Sequence, residues 1–262
     1  MKHITSRDNA QFKELKQLAT SSQARRQAGR TLLDGVHLCQ AYWQSAGAPL
    51  FCVVSDSSTD HAEVAPLLAQ CEAAQVACLC LPDALYKALS QVENGVNLLF
   101  IVATPQPELP AVFHESTVVL DNLQDPGNMG SILRSAAAAG IKNVVCSQGT
   151  VFAWSPKVMR AGMGAHFLLT IYEGVDLNAL LQSATIPILA TSSHATQSIY
   201  QADLTKEVIW LFGHEGQGVA DELMALATST VTIPQRGEIE SLNVAASAAI
   251  CFFEQRRQQM AK

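Results

Sequence analysis

No stretch of this chain holds the roughly 20 consecutive apolar residues needed to cross a bilayer. The opening MKHITSRDNAQFKELK also lacks the apolar segment of a secretory leader. Both absences point to a soluble, cytoplasmic protein with no membrane partner. Charge is scarce: Asp, Glu, Lys and Arg supply 15% of the 262 residues against 48% hydrophobic ones. That balance describes a well-packed globular protein, and the length suits two domains of ordinary size.

A disulfide framework is missing too. The cysteines (Cys39, Cys52, Cys71, Cys78, Cys80, Cys146 and Cys251) are seven, an odd count, and most sit inside apolar stretches. Reduced, buried thiols account for them. Cys78 and Cys80 form a C-x-C with no second pair at zinc-ligand spacing, so no metal site is expected. Nor is there a basic excess. The net charge is −6, which by itself argues against a nucleic-acid partner. Its distribution says more: among the first 30 residues, Lys2, Arg7, Lys13, Lys16, Arg25, Arg26 and Arg30 oppose only Asp8 and Glu14. Phosphate contacts need a local basic surface, not a basic whole protein.

What is present is an alternation of strands and helices. Phe12, Leu15, Leu18 and Ala19 fall at helical spacing, predicting one helix over 8–28. Strands are predicted at 31–34, 50–56, 76–81 and 97–104, with helices at 35–45, 60–74 and 82–90 between them. The segment TPQPELP (104–110) then places three prolines in seven residues. Proline fixes φ and removes a donor, so this is the best domain boundary in the chain. Beyond it, strands are predicted at 116–121, 143–147, 166–170, 186–191, 207–213 and 230–234. Helices are predicted at 130–140, 156–164, 176–183, 219–227 and 242–259. Continuous apolar runs such as VIWLF suit parallel strands covered on both faces. The expected class is α/β in both halves.

Three segments of the second half stand out, each beside a strand end, where open α/β sheets bind ligands. In LDNLQDPGNMGSILRSAAAAGI (120–141), a Pro-Gly turn leads into a helix that Asn128 is placed to cap. Arg134 is the one charge on that helix between Asn128 and Gly140. In LFGHEGQGV (211–219), a strand runs into three glycines with Glu215 among them; such glycines let backbone N–H groups approach a ligand. Their order, G-x-x-G-x-G, is not the dinucleotide fingerprint, which disfavours a nicotinamide enzyme. His214 is either an acid–base group or an ordinary loop histidine. In IPQRGEIESLNVAASAAICFFE (233–254), Ser241, Leu242 and Asn243 open a helix of small residues, where a serine N-cap is the plain alternative.

Taken in order, N-x-x-x-x-x-R, G-x-E-G-x-G and I-P … S-L-N-V-A resemble the three signature motifs of the SpoU/TrmH family of RNA 2′-O-ribose methyltransferases. These are members of the knotted SPOUT superfamily. ITSRDNAQFKELKQL (4–18), the arginine-rich stretch 25–30 and LLDGVHL (32–38) are similar to the family's N-terminal extension, with Asp34 where glutamate is more usual.

The resemblance implies a small ribosomal-protein-like α/β domain over 1–104 that grips RNA, through Arg25, Arg26 and Arg30 among others. A linker at 105–115 and a SPOUT methyltransferase domain over 116–262, with a deep trefoil knot and a parallel sheet, would follow. It implies S-adenosylmethionine as cofactor, held by Thr191, Gly213, Gly216, Gly218, Ile233 and Leu242. Asn128, Arg134, Glu215, Ser241 and Asn243 match positions tied to catalysis and RNA binding. The implied activity is methyl transfer to a ribose 2′-hydroxyl of structured RNA, ribosomal RNA ahead of transfer RNA, by a homodimer paired partly through the last helix. The alternative is a catalytically silent RNA-binding or ribosome-assembly protein of the same fold.

Overall fold

A computed structural model describes residues 1–92, 95–236 and 241–261. In chain order its first elements are β1 (Lys2–His3), α1 (Ala10–Thr20), α2 (Ser22–Ala28), β2 (Arg30–Asp34), α3 (Val36–Ala46), β3 (Phe51–Ser55), α4 (Ala65–Ala73), β4 (Ala77–Leu81), α5 (Asp83–Leu89) and β5 (Leu98–Ala103). After the proline-rich segment come β6 (Thr117–Leu120), α6 (Pro126–Ala139), β7 (Asn143–Ser147), α7 (Pro156–Gly162), β8 (Thr170–Val175) and α8 (Leu177–Gln182). The chain closes with β9 (Ile188–Thr191), β10 (Ile209–Phe212), α9 (Asp221–Met224), β11 (Ser229–Val231) and α10 (Val244–Met260). Two compact units result: Met1–Pro105 with Trp154–Phe167, and Gln106–Ala153 with Leu168–Lys262.

The first unit is built on a five-stranded sheet of order β1-β4-β3-β5-β2. β3 and β4 are parallel, and β5 runs antiparallel to both β3 and β2. Phe12, Leu15 and Leu18 of α1 pack with Leu79, Leu99 and Ile101 of the sheet in one core. The helix predicted over 8–28 is in fact two. Ser21 takes an extended conformation, ends α1 through its N–H to Gln17 and caps α2 by accepting from the Ala24 N–H. A serine side chain satisfies an orphan helix donor as readily as it continues a helix, which is why the periodicity hid the break.

The second unit is built on a six-stranded sheet of order β11-β9-β10-β6-β7-β8, with every pair parallel. Val119, Val145, Ala190 and Leu211 face one core with α8 and α9. Trp210 and Phe212 are buried as well, stacked on each other and edge-on to Phe252 of α10. Apolar burial on both faces accounts for strands that read as continuous hydrophobic runs. Gln255 of α10 accepts from the Trp210 indole at 2.7 Å and donates to the Ser116 hydroxyl at 2.7 Å, fixing the helix to the sheet.

One strand lies elsewhere than expected. The run HFLLT predicts a strand at 166–170, but Ala165–Leu168 is a 3-10 turn and β8 begins at Thr170. A three-residue apolar run does not separate a strand from a helical turn. The strand itself was masked by Glu173 and Gly174. Among the described residues, no helix is long and apolar enough to cross a membrane.

Candidate functional site

The site lies in the second unit, where the strand order turns back. β6 leads outward to β7 and β8, whereas β9, β10 and β11 fall on the other side of it. The loops after β6 and β10 therefore leave the carboxyl edge of the sheet side by side, the position at which parallel α/β sheets bind ligands.

Asp125 caps α6, its carboxylate accepting from the Asn128 N–H at 2.7 Å, with Pro126 as the first helical residue. Asn128, expected to be the cap, is instead the third residue of the helix. Its side chain is thereby free for another task. Asp-Pro at a helix start is itself a capping signature that the sequence offered.

The loop after β10 closes on itself. The N–H of His214 donates to the Gly218 carbonyl at 2.9 Å, and the Gly218 N–H donates back at 2.8 Å. The His214 ring nitrogen Nδ1 accepts from the N–H groups of Gly216 (2.9 Å) and Gln217 (3.2 Å). Of the two readings of His214, the structure gives a loop-shaping role. Gly213 passes so near Gly218 that a Cβ there would overlap the Gly218 carbonyl, so no other residue fits without moving backbone.

Glu215 joins this loop to the first. One carboxylate oxygen accepts from the Asp125 N–H at 2.9 Å and from the Asn128 amide at 3.1 Å; the other accepts from the Gln124 N–H at 3.1 Å. Burial by itself would raise this carboxyl. The donated hydrogen bonds from Asp125, Asn128, its own N–H and Gln124 outweigh that and hold it below the ordinary value.

The third segment joins through Asn128. Its side-chain oxygen accepts from the Asn243 amide at 2.9 Å, while Asn243 caps α10 by accepting from the N–H groups of Ala245 (2.9 Å) and Ala246 (3.2 Å). The cap is Asn243 and not Ser241. The three motifs, more than 100 residues apart at their ends, are thus one hydrogen-bonded chain: Asn243 to Asn128 to Glu215 to the α6 entry loop.

Beside this junction is a cavity of about 520 Å³, within the range of small-ligand sites. Thr191, Gly213, Glu215, Gly216, Gly218, Ile233, Ser241 and Leu242 all line it, together with Ser192, Ser193, His194 and Asp221. Thr191 ends β9 and Ile233 follows β11, so the loops after β9, β10 and β11 all contribute. Among the described residues, no lysine or arginine lines the cavity, while Glu215 and Asp221 do.

Arg134 is not drawn into the junction. It sits on α6, exposed, with no hydrogen bond or ion pair among the described residues. Ser241 is likewise exposed at the cavity mouth. The residues that sequence reasoning missed are Asp125, Gln124 and the Ser192–His194 loop. Gln124 donates its side-chain amide to Asn122 and Gly149; nothing in its local sequence marks it.

In the first unit the three candidate RNA-binding arginines part company. Arg25 is buried, its guanidinium donating to the Leu18 carbonyl at 2.6 Å and the Ser22 hydroxyl at 2.8 Å, so it braces the α1–α2 corner. A helix-face reading could not foresee this, because the break at Ser21 turns α2. Arg26 is exposed, and Arg30 is partly exposed beside Glu14 at 3.0 Å.

Comparison with known proteins fits this architecture. The model of the SpoU rRNA methylase family matches residues 115–253, just over half of the chain. An uncharacterised tRNA/rRNA methyltransferase of Synechocystis sp. is 35% identical over 266 aligned residues, covering 98% of this chain and 94% of that one. The 23S rRNA (guanosine(2553)-2′-O)-methyltransferase RlmP of Bacillus subtilis is 26% identical, covering 98% of this chain and 100% of that one. The crystal structure of the rRNA methyltransferase of Sinorhizobium meliloti with AdoMet bound superposes with a TM-score of 0.84 at 25% identity, covering 98% and 97% of the two chains. The chain belongs to the SpoU rRNA methylase family, and its second unit has the SPOUT methyltransferase fold.

Proposed function

We propose that this chain is an S-adenosylmethionine-dependent methyltransferase that methylates a ribose 2′-hydroxyl of structured RNA, ribosomal RNA ahead of transfer RNA. The observation that carries the reading is the cavity walled by carboxylates and backbone, with no cation on its described lining, set against the junction of the three motifs. A sulfonium donor is positively charged and suits such walls. A dinucleotide is disfavoured because the glycine order G-x-x-G-x-G departs from the fingerprint that seats a pyrophosphate on backbone N–H groups. Backbone groups of Gly213, Gly216 and Gly218, with Ile233 and Leu242 as apolar walls, provide a slot for a flat base. Thr191 and Ser241 offer hydroxyls at its rim.

Bound there, S-adenosylmethionine supplies a methyl group that is already activated. The protein's own task is to hold the acceptor ribose in line with it and to help the hydroxyl lose its proton. Glu215 is held ionised by its donors and is fully engaged with them, so it acts by fixing the loop and Asn128. Asn128 and Asn243 orient one another at the entrance. Arg134 has its guanidinium free among the described residues. A guanidinium rarely gives up its proton, so it binds the phosphate next to the target ribose and stabilises the alkoxide as it forms.

Residues 1–104, the larger part of the first unit, are the RNA-gripping domain in this reading, with Arg26 and Arg30 offering cations and Arg25 bracing the α1–α2 corner from within. Residues 105–115 are the linker and 116–262 the knotted catalytic domain. The working state is a cytoplasmic homodimer. Phe253, half exposed on α10, is available for the pairing, whereas Phe252 is committed to the core.

The test is to titrate S-adenosylhomocysteine and NAD in parallel by calorimetry. Binding of the first alone supports the reading, and binding of the second alone overturns it. Binding of neither, with RNA still bound, would favour the catalytically silent RNA-binding alternative.

A further inference from the structure

The first unit brings together three cysteines that the sequence keeps apart. Cys52 of β3 and Cys78 of β4 stand opposite each other in the parallel ladder. Cys71 comes from α4, and the three sulfurs lie within 4.8 Å of one another. All three are buried. Sequence spacing pointed away from any metal site, since Cys78 and Cys80 lack a second pair. The grouping arises from a strand pair and a helix, which no local spacing records.

We propose that Cys52, Cys71 and Cys78 form a three-thiolate site for a soft, monovalent d¹⁰ cation of the Cu(I) class. Metal–thiolate bonds are about 2.3 Å long, so a flat three-coordinate site needs its sulfurs roughly 4 Å apart. The cluster requires a contraction of under about 1 Å to reach that. Zinc closes a structural site with four ligands in a tetrahedron, and the group found among the described residues offers three. Soft thiolates without oxygen or nitrogen partners select Cu(I) over harder ions.

Access fits the same assignment. Cys78 lines a surface cavity of about 390 Å³ shared with Lys2, Gln11 and Glu72, so an ion reaches the cluster without opening the core. On binding, three metal–sulfur bonds form, the thiol protons pass to solvent and no oxidation state changes.

The experiment uses the full-length, reduced protein under nitrogen, competing with bicinchoninate for Cu(I). One ion should be withdrawn per chain, with a near-ultraviolet thiolate charge-transfer band. X-ray absorption should count three sulfurs and no lighter ligand. Cys78→Ser should weaken binding at least tenfold, while Cys39→Ser and Cys146→Ser leave it unchanged; melting temperatures confirm that each variant folds. The X-ray count on the unaltered protein stands even if a core variant fails to fold. No withdrawal of Cu(I), unchanged binding in Cys78→Ser, or a shell containing nitrogen or oxygen would overturn the assignment. The last result would point to His3, Asp56 and Cys80 instead, whose ligand atoms also lie within 4.8 Å of one another.

Discussion

Replacing Glu215 with glutamine isolates the junction from the cavity it adjoins, because the volume is kept and only charge and one acceptor are lost. In the native site both carboxylate oxygens accept, one from two donors and one from a third. A glutamine amide must turn an NH₂ toward either the Gln124 N–H or the Asp125 and Asn128 donors. In both cases donor faces donor. If the Asn128 amide flips to relieve this, it loses the bond it accepts from Asn243. Hydrogen bonds to charged groups contribute about 1.5–3 kcal/mol when buried. Glu215 is exposed, so solvent screening brings each bond toward the ordinary range of roughly 0.5–1 kcal/mol. With two bonds lost or frustrated, the expected destabilisation is about 1–2 kcal/mol. For a unit of this size that lowers the melting temperature by roughly 2–8 °C.

The loss also depends on pH. A carboxyl held below its unfolded value stabilises the fold above that value, and its contribution disappears as pH falls through the folded one. The gap between wild type and Glu215→Gln should therefore be widest near neutrality and close below about pH 4. Differential scanning calorimetry across pH 3–8 measures it. A double-mutant cycle with Asn243→Ala should return a coupling of about 0.5–1 kcal/mol transmitted through Asn128. A melting point within 1 °C of wild type at pH 7, with no coupling, would refute the account of the junction.

Arg134→Ala should keep the wild-type melting point and S-adenosylhomocysteine affinity yet lose on the order of 10²–10³ in single-turnover methyl transfer; Arg134→Lys should recover only part, since a point charge replaces a planar fork. Turnover within a few-fold of wild type would remove Arg134 from the site. Gly213→Ala drives a methyl group into the Gly218 carbonyl, so calorimetry should find donor affinity lost even where the protein stays folded; unaltered affinity would show that the loop has room to move. Arg26→Glu with Arg30→Glu should flatten the salt dependence of RNA binding. Arg25→Ala should instead lower the melting temperature by the equivalent of about 1–2 kcal/mol, because Arg25 and its bond to the Leu18 carbonyl are buried; the opposite pattern would contradict the division among these arginines.

Much of the fold was legible because parallel strands buried on both faces leave uninterrupted apolar runs. VIWLF and TVVL announce β10 and β6 with little ambiguity. What stayed hidden was decided by single side chains. Ser21 cuts one periodic helix into two, and Glu173 and Gly174 obscure a strand whose pairing with β7 is set elsewhere. The site was legible through glycines and asparagines flanking strand ends. Their roles were not, because a cap and a tertiary hydrogen bond use the same side-chain atoms. Asn128 was the expected cap of α6 and Ser241 the plain alternative for α10, and only the fold shows that Asp125 frees Asn128 while Asn243 caps α10 and bonds Asn128 as well. The inward turn of Arg25 and the meeting of Cys52, Cys71 and Cys78 depend on tertiary placement that local sequence does not encode.

The central claim is methyl transfer from S-adenosylmethionine to a ribose. Ribosomal and transfer RNA purified from a strain lacking this gene should be incubated with the protein and donor labelled in the methyl group, and each product mapped by resistance to alkaline hydrolysis. The account predicts label at one nucleotide of ribosomal RNA, with the adjacent phosphodiester resistant to alkali because its 2′-oxygen is blocked. Label on a base, or none in either RNA from a protein that binds S-adenosylhomocysteine, would contradict it.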